Sequence, residues 1–306
     1  MNVAVIGASG FVGKAVVRQA LGLGWRVTAV ARHAVRDMRD LAGTGLVAID
    51  ADVTNPGSLP DWSGIDAVVY AVGMSRLEDG RAAIGNVLDG MTGNGAPRLV
   101  AVGSLSVIDY GAIAEDSVVV EASPVVADFT DRDEYARIKA DEETQSIGWA
   151  KRGGRLSIVR LGAVIGPGRV WTARLGFRFG TRWVHVDSGA SLPIVQVDDA
   201  GEVIANVVAA GEAPRVLHVV HGQEVMQRRY VEMIVERGML SRPALRIPAR
   251  VLRRALGVAG RLSPISVARF DARFKRVRFS AEPALGYCLG LSRRPEEVLE
   301  RCAGSR

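Results

Sequence analysis

Apolar residues fall along the chain in short β-branched runs that alternate with stretches of helical spacing. The first run, Val3 to Ile6, breaks at Gly7, and from Phe11 to Gly22 apolar residues recur three and four apart. This is the pattern of a buried parallel strand followed by an amphipathic helix. Arg26 to Ala31, Leu46 to Ile49, Asp66 to Ala71 and Arg98 to Val102 repeat the strand pattern, and helical spacing recurs through about Asn86 to Met91. The alternation predicts an α/β fold built on a doubly wound parallel sheet (Rossmann type), whose ligands gather at the C-terminal strand ends. Asp109 to Thr130 has few regular features and reads as a loop over the site. A helix is expected from Asp131, a last strand over Val216 to Val220, and amphipathic helices over Arg228 to Arg237 and Ile247 to Leu262. A short final helix starts at Pro295, where proline and the acids Glu296 and Glu297 suit a helix N-terminus.

The first strand-to-helix junction, Gly7-Ala-Ser9-Gly10-Phe11-Val12-Gly13, has the glycine spacing of a dinucleotide site. Gly7 permits the turn, Gly10 lets a pyrophosphate approach the backbone, and Gly13 lets the helix lie close to the strand. The free N–H groups of that helix then face the phosphates. A glycine-rich structural turn is the competing explanation. The second strand ends in Arg32, followed by Arg36 and Arg39, where an acidic residue would hold the ribose of NAD. A guanidinium there suits the 2′-phosphate of NADP, with NAD still admissible; a solvated basic helix start is the bland alternative. Asp52 and Val53, after the third strand, are candidates for the adenine, with an ordinary acidic turn as the competing explanation, and Ala71, Val72 and Gly73, after the fourth, bring backbone beside the cofactor.

Composition narrows the classes. The chain has 306 residues, 48% hydrophobic, enough for a large domain with a smaller one, and a net charge of +6 concentrated after about Lys151. The excess of arginine favours an anionic small-molecule ligand; no nucleic-acid motif or basic stripe with interleaved aromatics accompanies it. Two cysteines without metal-like spacing, no apolar run long enough to span a bilayer, and an N-terminus unlike a secretory signal lead to the expectation of a cytoplasmic protein without a metal site. The fifth strand ends in Gly103-Ser104-Leu105-Ser106, and the helix after the loop carries Tyr135-Ala-Arg-Ile-Lys139. Residues four apart share a helical face, and an ammonium beside a phenol favours the phenolate, the form that takes a proton from an alcohol.

In this order the motifs resemble those of the extended short-chain dehydrogenase/reductases of the NAD-dependent epimerase/dehydratase type. Gly7 to Gly13 resembles their cofactor fingerprint, Tyr135 and Lys139 their catalytic pair, and Ser104, in preference to Ser106, their triad hydroxyl. Arg160 to Gly168 resembles the strand and turn after the catalytic helix, and Leu192 to Asp199 the return to the nucleotide-binding domain. The resemblance implies a nucleotide-binding domain over 1–168, returning at about 193–221, and a substrate domain over 169–192 and 222–306. It implies hydride transfer at a carbinol or carbonyl carbon, with Tyr135 as acid/base, Lys139 tuning it and binding the nicotinamide ribose, and Ser104 holding the reacting oxygen. A homodimer is compatible with it. Leu105-Ser106 stands where the family's 4,6-dehydratases carry Asp-Glu, so the groups for water elimination are missing. Arg169, Arg174, Arg178 and Arg182 among Trp171, Phe177, Phe179 and Trp183 suit a nucleotide-linked sugar; an arginine-rich surface loop explains them equally. A hydroxysteroid or lipid-alcohol dehydrogenase, with Ile247 to Leu262 on a membrane surface, and a non-catalytic NADP-binding regulator are the alternatives.

Overall fold

The computed structural model describes residues 1–41, 43, 45–92, 95–259 and 265–303. In chain order, β1 (Asn2–Ile6), α1 (Phe11–Gly22), β2 (Arg26–Ala31), α2 (Ala34–Asp37), β3 (Leu46–Asp50), β4 (Ala67–Tyr70), α3 (Leu77–Gly90) and β5 (Arg98–Ser104) come first. Then follow β6 (Val118–Val119), α4 (Glu134–Lys151), β7 (Leu156–Leu161), β8 (Ala163–Ile165), β9 (Gly176–Phe179), β10 (Arg182–Asp187), β11 (Ile194–Gln196), α5 (Val197–Ala209) and β12 (Val216–Val219). The C-terminal part holds α6 (Gln227–Glu236), β13 (Leu245–Pro248), α7 (Ala249–Ala259), α8 (Val267–Phe274), β14 (Arg278–Phe279), α9 (Glu282–Leu285) and α10 (Pro295–Ala303).

The chain divides into two compact units. The first comprises Met1–Leu105, Glu134–Leu161 and Val197–Val219, the second Ser106–Asp133, Gly162–Gln196 and Val220–Arg306. These limits differ from those expected by sequence, because 106–133 and 162–168 pack with the second unit.

In the first unit a seven-stranded parallel sheet runs in the order β12-β7-β5-β4-β1-β2-β3. The order reverses between β1 and β4, the place where such sheets bind dinucleotides. The apolar runs become its central strands: Val3 to Ile6 and all of β4 are buried, as strands covered on both faces require. α1 packs along α5, where a Cβ on Gly201 would lie 2.9 Å from the Ala15 Cβ. α3 is longer than the expected Asn86 to Met91. Its buried face, Gly80, Ala83, Ile84, Val87 and Leu88, has helical spacing, but glycines dilute the propensity signal. Gly80 is there for proximity, since a Cβ on it would meet the Ile138 side chain at 2.8 Å.

The second unit holds a three-stranded sheet, β13-β10-β9, and two-stranded pairs β8/β11 and β6/β14. One core gathers Ile165, Leu175, Trp183, Tyr230, Ile234 and Leu299, and a smaller one Val186, Phe270 and Phe274. The segment expected to be a loop is partly ordered, with a 3-10 turn over Tyr110–Ala112 and β6 paired in parallel with β14. The helix expected over Ile247 to Leu262 is instead strand β13 followed by α7; Arg261 and Leu262 lie outside the described residues. α4 begins at Glu134 rather than Asp131, because the buried Arg132 donates to the Ile108 and Ser106 carbonyls and holds the chain in a turn. Among the described residues no helix is long and apolar enough to cross a membrane.

Candidate active site

The glycine junction is shaped by two close approaches. Gly7 has φ +80°, and a Cβ there would lie 2.6 Å from the Ala71 carbonyl oxygen; a Cβ on Gly13 would lie 2.1 Å from the Gly7 oxygen. Its N–H and that of Ala8 donate to the Val30 carbonyl, and Gly10 N–H donates back to Gly7. Gly10 is different: it is exposed and caps α1 in an extended conformation without a side-chain hydrogen bond. A helix N-terminus without a side-chain cap, beside a cradle that any Cβ would narrow, fits a pyrophosphate. Ser9, Phe11 and Val12 line the same turn half-buried, and Ala71, Val72 and Gly73 follow β4 beside it.

Arg32 is exposed directly after β2 and lies close enough to Asp52 for its charge to help lower that carboxyl's pKa. The larger causes are hydrogen bonds from Thr54, whose N–H and Oγ1 both donate to Asp52 Oδ1, at 3.0 and 2.8 Å. Asp52 therefore forms its own turn, while Val53 is buried. Arg36 is paired with Asp37, and the Val35 N–H is capped by Asp50.

The expected catalytic residues all belong to the first unit. Ser104 is the last residue of β5 and buried; Ser106 falls in the second unit, its carbonyl taking the Arg132 guanidinium. Tyr135, in the first turn of α4, is 51% exposed. Lys139, one turn on, is 5% exposed, and its Nζ donates to Val72 O (3.0 Å), Val102 O (3.2 Å) and Glu142 Oε2 (2.8 Å). The two carbonyls stand at the C-terminal ends of β4 and β5. An ammonium has three donors, so this set engages all of them.

Glu142 was not anticipated by sequence, although a carboxylate three residues after a lysine on one helix is a visible signal. It is buried, which raises its pKa, while Lys139 and Tyr70 act to lower it. Tyr70, wholly buried in β4, lies against the same carboxylate, and burial pushes its phenol well above the ordinary range. Its hydroxyl and Glu142 Oε1 complete no hydrogen bond. The acidic run Asp141-Glu142-Glu143 thus parts three ways, Asp141 taking Arg81 from α3, Glu142 taking Lys139 and Glu143 taking Arg160 from β7.

In the second unit, the arginine and aromatic segment is a hairpin, β9 and β10, with a 3-10 turn before it. Trp183 is core, its indole N–H donating to Ser241 O, and Phe177 packs on Phe274. Arg174 is structural: Nη2 donates to the Tyr110 hydroxyl at 2.8 Å, Nη1 to Arg273 O, and the guanidinium lies over the Tyr110 and Phe279 rings. Arg178, Arg182 and Phe179 stay exposed, Arg178 stacked 5.3 Å from the Trp171 centroid.

The chain is similar to several known proteins. Residues 7–141 match the family described as NAD(P)H-binding. A dTDP-6-deoxy-L-talose 4-dehydrogenase (NAD(P)(+)) of Kitasatospora kifunensis is 27% identical over 272 residues, covering 81% of this chain and 82% of its own length. Among solved structures, a nucleoside-diphosphate-sugar epimerase from Pseudomonas aeruginosa superposes with a TM-score of 0.73 at 19% identity, covering 99% of this chain and 96% of that one. A dTDP-glucose 4,6-dehydratase from Bacillus anthracis, in complex with NAD, gives 0.73 at 15% identity over 99% and 95%.

Proposed function

We propose that this chain, whose residues 7–141 match the NAD(P)H-binding family and whose fold is shared with a nucleoside-diphosphate-sugar epimerase and a dTDP-glucose 4,6-dehydratase, transfers hydride at a carbinol or carbonyl carbon of a nucleotide-linked sugar, with NADP as the preferred cofactor. The observation that carries this reading is the placement of Lys139: a buried ammonium at the ends of β4 and β5, one helical turn from an exposed Tyr135 and on the same sheet edge as Ser104.

Bound NAD(P)(H) supplies or accepts the hydride. Gly7, Gly10 and Gly13 with the first turn of α1 hold its pyrophosphate, and Arg32 its 2′-phosphate. Tyr135, exposed at the helix start, takes the proton from the substrate hydroxyl or returns it to the carbonyl. Lys139 stabilises the phenolate, and Ser104 donates to the reacting oxygen. Leu105 is buried where water elimination would need a carboxylate, so oxidation, reduction or epimerisation is supported and dehydration is not. The sugar-nucleotide class rests on the activity of the Kitasatospora relative and on the exposed Arg178 stacked on Trp171.

The deciding experiment is turnover of a panel of nucleoside-diphosphate sugars and uncharged sterols or lipid alcohols with NADP(H) and NAD(H), in the parent and in Tyr135→Phe. Turnover of the sugar nucleotides that falls about 100-fold in Tyr135→Phe supports the assignment. Turnover of the uncharged set alone overturns it.

A further inference from the structure

Lys139 makes three hydrogen bonds, and they are not equivalent. Val72 O and Val102 O are neutral carbonyls at the strand ends, whereas Glu142 is a charged partner one turn further into the unit, buried to the same degree as Lys139 itself. If the ammonium is to reach a ribose hydroxyl or the Tyr135 phenol, one of these bonds must open. Opening a carbonyl bond frees an acceptor that still has its strand environment. Opening the ion pair would leave an uncompensated carboxylate in the core, a far larger penalty. The cations paired with the neighbouring acids are already committed, Arg81 to Asp141 and Arg160 to Glu143.

We propose that Glu142, backed by Tyr70, is the positioning residue of Lys139: it keeps the ammonium anchored while a carbonyl bond is exchanged for the cofactor's ribose. This rests on the role given to Lys139 above. Tyr70 closes the other side of the carboxylate from β4, and its buried hydroxyl, without a closed bond of its own, is placed to stabilise Glu142 Oε1. The device is local to α4, β4 and β5, and touches neither substrate nor cofactor directly.

The test is a double-mutant cycle on NADPH binding, followed by the nucleotide's fluorescence with no substrate present. Glu142→Gln keeps the shape and removes the charge; Lys139→Met removes the ammonium. In the parent background Glu142→Gln should weaken NADPH roughly tenfold, but in the Lys139→Met background it should change affinity by less than about twofold, because a positioning residue has no effect once its target is gone. Equal losses in both backgrounds, or no loss in the parent, overturn the proposal while leaving the assignment of Lys139 intact. An unaltered affinity in Lys139→Met overturns both. Should Glu142→Gln fail to fold, Tyr70→Phe, which keeps the buried ring, decides in its place. A loss of about threefold that vanishes with Lys139→Met supports the proposal, and unchanged binding overturns it.

Discussion

Arg160 in β7 and Glu143 in α4 form a buried bidentate ion pair, with Nε 3.1 Å from Oε2, and the free edge of the guanidinium meets His218 of β12, Nη1 to Nε2 at 3.3 Å. Burial first, and the Arg160 charge second, depress the His218 pKa to about 3.

That depression makes folding acid-sensitive. The imidazole is neutral in the folded state and binds a proton below about pH 6.5 when unfolded, so its contribution is complete above that value and declines as pH falls toward the folded pKa. Between about pH 6.5 and 5 this single group should remove about 1.5 kcal/mol of stability. Urea midpoints measured across that range should fall more steeply in the parent than in His218→Gln. Parallel slopes would assign the acid sensitivity elsewhere.

Arg174 and Arg178 should separate cleanly. Arg174→Ala strips a half-buried guanidinium from two rings and removes its hydrogen bond to the Tyr110 hydroxyl, so it should lower stability by about 1–3 kcal/mol. Arg178→Ala should leave the melting temperature within a degree or two, about the scale of a surface change, and raise KM for a sugar nucleotide more than it lowers kcat. A KM effect confined to Arg174→Ala, with unchanged melting, would restore the expectation that Arg174 belongs to the substrate site.

Cofactor choice is assigned to Arg32. NADPH should bind more tightly than NADH, and Arg32→Asp should reverse the order, measured by calorimetry in both cases. Equal affinities in the parent would remove the basis for the preference.

Gly13→Ala and Gly201→Ala test the two faces of α1. Each places a Cβ in contact with backbone, at 2.1 Å from Gly7 O and 2.9 Å from Ala15 C, and each should cost about 1–3 kcal/mol or more. Only Gly13→Ala should also weaken NADPH, since it displaces the turn that faces the phosphates. Equal loss of binding in both would indicate a general disturbance of α1.

The core of the sheet and the cofactor turn are legible in the residues because their signals are local. Val3 to Ile6 must be a strand, and Gly7 and Gly13 mark contacts that only glycine allows. What was not legible depends on partners distant in sequence. Val118–Val119 is two residues long and becomes a strand because Arg278–Phe279 lies beside it. Arg174 looks like a ligand arginine until Tyr110, Phe279 and the Arg273 carbonyl surround it. The start of α4 could not be placed at Glu134 without knowing that Arg132 is buried. Glu142 was hidden differently, as one of three consecutive acids whose individual partners come from three different elements.

The path of the chain through its two units also orders its synthesis. β12, an edge strand of the seven-stranded sheet, ends at Val219, while the cores of the second unit draw on Val170 and on Leu299. On the ribosome β1 to β4 emerge among their neighbours, but β5 waits for β7, β7 waits for β12, and the larger core of the second unit waits for Leu299. Until then the two cores of the second unit await different C-terminal residues, Phe270 and Phe274 for the smaller and Leu299 for the larger, so a chain shortened from the C-terminus should lose the larger core first and the smaller one after it.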